Sequence, residues 1–248
     1  MNSAPQPHLP VATARQLLDA LLLRAKGAPV RPWVALDLDG TLFDNRPRTL
    51  AILRAFALSL REEVPELQQA VQDVRIEQLQ YSPSQAVAAL GLPHEDLPNR
   101  FMAFWRDRFF TNAWQALDAV EDGAAAFAHA LVDADLGVVY LTGRDRPGMM
   151  AGVLHGLDVH GFPLMTAQTQ VVLKPSFAMG DIEFKRQALG QLTRNGAVLG
   201  LVDNEPGIVN MALELVPDLL GVRICRPAAP NAETLRQNAW QIGSFLLS

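Results

Sequence analysis

Asp37 and Asp39 stand two residues apart at the end of an apolar run and are followed at once by Gly40 and Thr41, in Ala35-Leu36-Asp37-Leu38-Asp39-Gly40-Thr41-Leu42-Phe43-Asp44. The apolar residues 33–36 and Leu38 read as a buried strand. Side chains alternate along a strand, so both carboxylates point the same way if the strand continues through them. Two carboxylates at the end of a buried strand repel each other and are costly to desolvate. A cation, or a proton shared with a substrate, relieves that cost. A strand end followed by a turn also accounts for these residue types, because Asp and Gly favour turns and Thr41 or Asp44 can cap a helix.

Two further apolar segments end in polar groups. Residues 137–141 form a short strand running into Thr142-Gly143-Arg144, and residues 198–202 form one ending in Asp203-Asn204-Glu205-Pro206. In open parallel α/β sheets, ligands bind beyond the carboxyl ends of the strands. Parallel pairing brings these three tips to one edge.

The elements that must position them follow from periodicity. Residues 11–26 have helical spacing (Leu17, Leu18, Leu21, Leu22) and a basic end, which predicts an amphipathic helix ahead of the core, stopped by Gly27 and Pro29. Residues 48–111 contain no convincing strand. Their pattern predicts helices over 48–63, from Pro65 to about Gln80, from Ser82 to near Gly91, and from about Glu95 to Phe110. Phe101, Phe104, Trp105 and Phe109 follow helical spacing and are assigned to the core of this insert rather than to ligand stacking. Beyond it, helices over 123–131, 148–157, 181–192 and 207–214 alternate with strands over 137–141, 171–173, 198–202 and 222–225. Asp181 is expected to cap its helix, Cys225 to be a buried strand residue, and 222–225 to be the final strand. Alternation of this kind implies a parallel sheet covered on both faces. The fold class is α/β: a doubly wound, Rossmann-like parallel core over 31–46 and 112–248, an inserted all-helical domain over 47–111, and an N-terminal helical segment over 1–30.

Together these segments resemble the motifs of the haloacid dehalogenase-like hydrolases, most of which are phosphatases. DLDGTLFD resembles the first motif, Thr142-Gly143-Arg144 the second and Asp203 the fourth, in the order the family requires. The likeness runs from about residue 32 to 225 and includes a helical cap inserted after the first motif. It implies that Asp37 is the nucleophile, forming an aspartyl-phosphate that water hydrolyses. It implies that Asp39 is the general acid and later helps activate water. The Thr142 hydroxyl would donate to a phosphoryl oxygen, with Gly143 letting the backbone come close. The family's third motif supplies a lysine, for which there are two candidates. Lys185 lies in Glu183-Phe184-Lys185-Arg186 near a helix start and is favoured. Lys174 precedes Pro175, a step seen in many helical-capped members, and is kept as a substrate-binding candidate. Asp203 would bind Mg²⁺ with Asp37 and the backbone carbonyl of Asp39, an oxygen-only shell that suits this ion.

The chain also departs from the family. Many members carry another Asp just after the fourth-motif Asp or four residues later, whereas here Asn204 and Glu205 follow, and either would orient a metal-bound water. The role of Arg144 is open between substrate contact and pairing with an acid. Asn45 and Arg46 are open between substrate contact and a hinge. Dehalogenases of the family lack the second Asp, so Asp39 favours phosphoryl transfer over carbon–halogen cleavage. Two alternatives stand beside a phosphatase: a phosphotransferase or phosphomutase of the same fold, and a non-catalytic binding protein that retains it.

Composition bounds the partners. The 248 residues carry a net charge of -5 without a Lys/Arg cluster of the kind that tracks a nucleic-acid backbone. The expected partner is a small phosphorylated metabolite, with neither nucleic acid nor membrane. One cysteine allows no intrachain disulfide, and the histidines show no metal-binding spacing. The polar, Pro-containing N-terminus lacks the apolar stretch of a signal peptide, so a cytoplasmic location is expected.

Overall fold

The computed structural model describes residues 10–28, 31–79, 82–229 and 231–247. In chain order the strands are β1 (Val11–Ala12), β2 (Trp33–Leu36), β3 (Phe43–Asp44), β4 (Ala119–Val120), β5 (Gly137–Asp145), β6 (Thr169–Lys174), β7 (Val198–Asp203), β8 (Leu220–Ile224) and β9 (Trp240–Ile242). The helices are α1 (Ala14–Ala25), α2 (Arg46–Ser59), α3 (Pro65–Gln72), α4 (Pro83–Ala88), α5 (Leu97–Phe109), α6 (Ala124–Asp133), α7 (Arg146–Val159), α8 (Asp181–Asn195) and α9 (Pro206–Leu215). Seven strands form one sheet in the order β1-β9-β8-β7-β2-β5-β6, and every pairing in it is parallel. Helices cover both faces, as expected for a doubly wound α/β core.

The central strands show why. Val34 and Leu36 of β2 face one apolar layer with Leu17 and Leu21 of α1 and Phe127 and Leu131 of α6. Ala35, on the opposite face, packs with Phe184 and Leu189 of α8 and Val209 and Ala212 of α9. A strand buried on both faces has no polar side to show in its sequence, so it reads as a continuous apolar run. The register sets Leu36 beside Val202 of β7 and Tyr140 of β5. Asp37 and Asp203, each the next residue along, therefore leave the sheet side by side.

Four short strands, β1, β3, β4 and β9, were not expected from sequence. β1 and β9 pair with each other, and β9 also pairs with β8, so residues 222–225 are not the last strand. Strands of two and three residues are too short to display alternation. Residues 11 and 12 thus precede the helix, which begins at Ala14. Thr13 caps it: its side chain accepts from the Gln16 N–H at 3.2 Å while the Gln16 side chain accepts from the Thr13 N–H at 2.9 Å, a reciprocal box worth about 1 kcal/mol. Cys225 lies just past β8 and is half-buried rather than a buried strand residue. The cap of α8 is Gly180, with Asp181 inside the first turn.

The helical segment between β3 and β4 has a core of its own, built on Ile52, Leu53 and Phe56 of α2, Leu67 of α3 and Phe101 of α5. α3 stops at Gln72, short of the expected Gln80, and a single 3₁₀ turn at Ile76–Gln78 follows. Asp73, Val74 and Ile76 are all weaker helix formers than the Leu, Gln and Ala that precede them. β3 and β4 lie at the neck of the segment and pair antiparallel, Phe43 with Val120 and Asp44 with Ala119. Among the described residues no helix is long and apolar enough to cross a membrane.

Candidate active site

β2 ends at Leu36, and the next residues curl instead of continuing the strand. The N–H groups of Thr41, Leu42 and Phe43 all donate to the Leu38 carbonyl, at 2.9 to 3.0 Å. Gly40 makes the curl possible. Its φ of +73° suits glycine, and a Cβ there would lie 2.8 Å from Asn204 Nδ2. The two carboxylates therefore do not act as a pair on one strand face. They go to separate partners.

Asp37 meets a lysine. Lys185 Nζ donates to Asp37 Oδ1 at 2.6 Å and to Asp203 Oδ2 at 2.7 Å, and all three residues are buried. The other Asp37 oxygen accepts from the Thr41 hydroxyl at 3.0 Å, whose oxygen in turn accepts from the Asn204 N–H at 3.1 Å. Asp203 Oδ1 accepts from the Glu205 N–H at 2.9 Å. Burial pushes the Asp37 carboxyl up to about 7; Lys185 opposes the rise and Asp203 adds to it. Burial also disfavours the Lys185 ammonium, but Asp203 and Asp37 outweigh it and hold the group firmly protonated. Of the two lysines proposed from sequence, Lys185 reaches Asp37. Lys174 bonds Asp181 Oδ1 at 2.7 Å instead.

Asp39 meets two arginines. Arg144 Nε donates to Asp39 Oδ2 at 2.9 Å and Nη2 to Oδ1 at 2.7 Å, a two-pronged contact, and Arg48 Nη2 donates to Oδ1 at 2.9 Å. Asn45 Nδ2 adds a contact at 3.4 Å. Burial alone would raise the Asp39 carboxyl; Arg144 and then Arg48 overcome it and hold the group well below the usual carboxylate range.

Asp118 completes a quartet of alternating charge. Its Oδ2 accepts from Arg144 Nη2 at 2.7 Å, and its Oδ1 lies 2.8 Å from Arg48 Nε. That last approach is an ion pair whose alignment is too poor for a hydrogen bond. Burial pushes Asp118 up to about 6 against the pull of both arginines. Gln115 accepts from Arg144 Nη1 at 2.7 Å, and Arg48 Nη1 donates to the Phe109 carbonyl at 2.9 Å. The quartet thus joins α2 and the turn before β4 to the tips of β2 and β5.

A cavity of about 990 Å³ opens over these groups, between the strand tips and the helical segment. Asp37, Asp39, Gly143, Arg144, Lys174, Lys185 and Asp203 all line it. Thr142 does not. It is fully buried, and its hydroxyl oxygen accepts from the Arg144 N–H at 3.2 Å, so it supports Arg144 rather than facing the cavity. Asn204 and Glu205 line it too, and Asn204 Nδ2 donates to the Pro227 carbonyl at 3.0 Å.

Sequence reasoning missed Thr41, Arg48, Gln115 and Asp118. Thr41 carried a usable signal, two residues beyond Asp39 on the same loop; Arg48, nine residues beyond it in the first turn of α2, reaches Asp39 only through the seating of that helix. Asp118 and Gln115 lie some seventy residues or more from Asp39, and nothing local marks them.

The donor set fits a hard divalent cation. Asp37 and Asp203 are two buried carboxylates sharing one ammonium, which leaves a surplus negative charge. Mg²⁺ is commonly held by one or two carboxylates and waters. Among the described residues no group of three or more His, Cys, Asp or Glu side chains is arranged to hold a metal, so any such ion would rest on these two carboxylates, backbone and solvent.

No protein-family model and no curated protein matches the chain. Solved structures do. The protein tyrosine kinase A of Mycobacterium tuberculosis superposes with a TM-score of 0.57 at 16% identity, over 87% of this chain and 95% of that one. A HAD-superfamily hydrolase of subfamily IA from Geobacter sulfurreducens gives 0.51 at 15% identity, over 88% and 94%. A predicted phosphatase from Clostridium acetobutylicum gives 0.50 at 16% identity, over 86% and 94%. At such identities the likeness is one of fold. This chain has the haloacid dehalogenase-like fold, with a Rossmann-like α/β core.

Proposed function

We propose that this chain is a phosphatase that hydrolyses a small phosphorylated metabolite with Asp37 as nucleophile. The observation that carries the reading is the Lys185 ammonium bridging Asp37 and Asp203 at 2.6 and 2.7 Å, at the tips of adjacent strands and inside a cavity large enough for a metabolite.

An Asp37 oxygen attacks phosphorus in line, and the bond from phosphorus to the leaving oxygen breaks with its electron pair going to that oxygen, which takes up a proton. Water then attacks the phosphorus of the aspartyl-phosphate, releasing phosphate and restoring the carboxylate. Lys185 holds Asp37 in place and offsets the charge that gathers on the phosphoryl oxygens. Mg²⁺, held by Asp37, Asp203 and the backbone carbonyl of Asp39, would supply further charge neutralisation. Gly143 and Lys174 line the same cavity and are the proposed phosphate contacts, with Thr142 acting through Arg144.

Asp39 is the proposed acid–base partner, with one condition. Bound by Arg144 and Arg48 it is an anion, suited to taking a proton from water. To protonate a leaving group it must first exchange its Arg144 contact. Movement of the helical segment, a proposed cap over 47–111, would withdraw Arg48 from Asp39 and shift Asp118, which also holds Arg144.

A second reading has a specific motive. One of the similar folds is described as a protein tyrosine kinase, and an aspartyl-phosphate passed to a hydroxyl rather than to water would make this chain a phosphotransferase. A dehalogenase is disfavoured by Asp39. A panel of phosphorylated metabolites assayed with Mg²⁺ decides among these. Release of inorganic phosphate, lost in Asp37→Asn, is expected. Phosphate appearing on an added alcohol instead supports transfer, and no turnover anywhere on the panel leaves a binding protein.

A further inference from the structure

We infer that the leaving group of the substrate carries a flat aromatic ring, seated against Phe177 and the rings beside it; this rests on the phosphatase reading above. The cavity, at about 990 Å³, is far larger than a phosphate requires and stands at the top of the range for small-molecule sites, roughly 300–1,000 Å³. Asp37, Lys185 and Asp203 account for only part of its lining. Trp105, Phe109, Phe110 and Phe177 form another part.

These four rings are a connected set. Trp105 stacks on Phe109 with centroids 4.2 Å apart, and Phe110 meets Trp105 edge-on at 5.5 Å and Phe177 edge-on at 4.9 Å. Two of them have structural work. Phe109 is buried in the helical segment's core and carries the Arg48 guanidinium 3.7 Å over its ring. Trp105 is fixed by an Nε1 hydrogen bond to Thr49 Oγ1 at 3.2 Å.

Phe177 differs. It sits in the loop between β6 and α8, lines the cavity, and is 52% exposed. Ile182, 48% exposed, lines the cavity as well. A large ring left half in water beside a catalytic pocket offers apolar area that an apolar ligand would bury with profit in free energy. Its position says which part of the ligand that is. Lys174 Nζ lies 5.7 Å from the Phe177 ring centre and is a proposed phosphate contact, so the ring it serves lies within a few bonds of the ester oxygen. Aromatic side chains select a flat ring over a puckered one of equal size, because offset and edge-to-face contacts add to area burial.

The test compares kcat/KM of the full chain on phenethyl phosphate and on cyclohexylethyl phosphate. Both release a primary alcohol, so leaving-group chemistry is matched and only ring planarity differs. A second pair, a nucleoside monophosphate and ribose phosphate, tells a nucleobase from a simple aryl ring. We expect a preference of about tenfold for the aromatic member of at least one pair. Phe177→Leu keeps apolar bulk at an exposed position and should collapse the ratio toward one. Hydrolysis of both members of each pair at equal efficiency overturns the inference and leaves the phosphatase reading intact. A Phe177→Leu variant that leaves the preference unchanged, lowering kcat/KM equally for both members, also overturns it, because Phe177 would then only brace Phe110. No turnover of any ester overturns both readings.

Discussion

Arg48, in the first turn of α2, is fully buried and donates to Asp39 Oδ1 at 2.9 Å. A side chain of the helical segment thus holds a carboxylate of the proposed active site. Buried charge of this kind is tolerable only because it is matched: Arg48 and Arg144 face Asp39 and Asp118. Removing one partner strands the others. Arg48→Ala should therefore lower unfolding stability by about 3–5 kcal/mol, read from urea denaturation. Arg48→Lys should recover only part of this, since an ammonium cannot span Asp39, Asp118 and the Phe109 carbonyl as a guanidinium does. A loss below about 1 kcal/mol, the level of a surface pair, would mean that the quartet does not hold the segment to the core.

Asp37→Asn should abolish turnover while the chain stays folded. The amide keeps the shape and can still meet Lys185 and Thr41, but it is no nucleophile. Its removal also relieves the desolvation that raises Asp37, so thermal stability should hold or rise. Measurable phosphate release by this variant, above that of a buffer blank, contradicts the nucleophile assignment.

The two lysines should separate cleanly. Lys185→Ala removes the charge shared by Asp37 and Asp203 and should cost turnover about 10²–10³-fold. Lys174→Ala breaks a pair whose partner Asp181 is largely exposed and should cost about tenfold or less. Equal losses, checked by kcat on one ester, would show that geometry in the resting structure misleads about the third-motif lysine.

Asp118 takes up its proton first, at about 6, so below 3.8 acid should act on the quartet through Asp39. Its folded carboxyl titrates below its ordinary value of 3.8 because Arg144 and Arg48 favour the anion. A lowered folded value contributes stability that is present above 3.8 and is lost as pH falls from there toward the folded value. Urea midpoints between pH 7 and pH 3 should thus drop at the acid end in the wild type, and Asp39→Asn should flatten that part of the difference. An unchanged acid limb in the variant would place the sensitivity elsewhere.

Chelation should stop turnover, and added Mg²⁺ should restore it. Asp203→Asn should raise the Mg²⁺ concentration needed or abolish activity, because one of two carboxylates is gone. Full activity in the presence of excess chelator would rule out the cation in the proposed mechanism.

Much was legible in the chain before any coordinates. Apolar runs with no polar face announced strands buried on both sides, and their acidic or Thr-Gly-Arg ends announced a single functional edge, because parallel pairing leaves little freedom about where those ends go. The helical character of residues 48–111 followed from spacing alone. Short pieces were not legible: β1, β3, β4 and β9 have two or three residues, and a pattern needs more than one period to be seen.

Local sequence, then, determined the element types and the three polar strand ends, because periodicity and turn chemistry act between near neighbours. Lys185 was already favoured over Lys174 from its setting at a helix start, and the tertiary structure added its contacts with Asp37 and Asp203. The separation of Asp37 from Asp39 belonged to the tertiary structure, and so did the meeting of Asp39 with Arg48, Arg144 and, through them, Asp118. Those outcomes depend on register and on how the helical segment seats on the core, which place residues from distant parts of the chain within hydrogen-bonding reach. Charge pairing at 2.6–2.9 Å is decided by position in space, and no spacing along the chain encodes it.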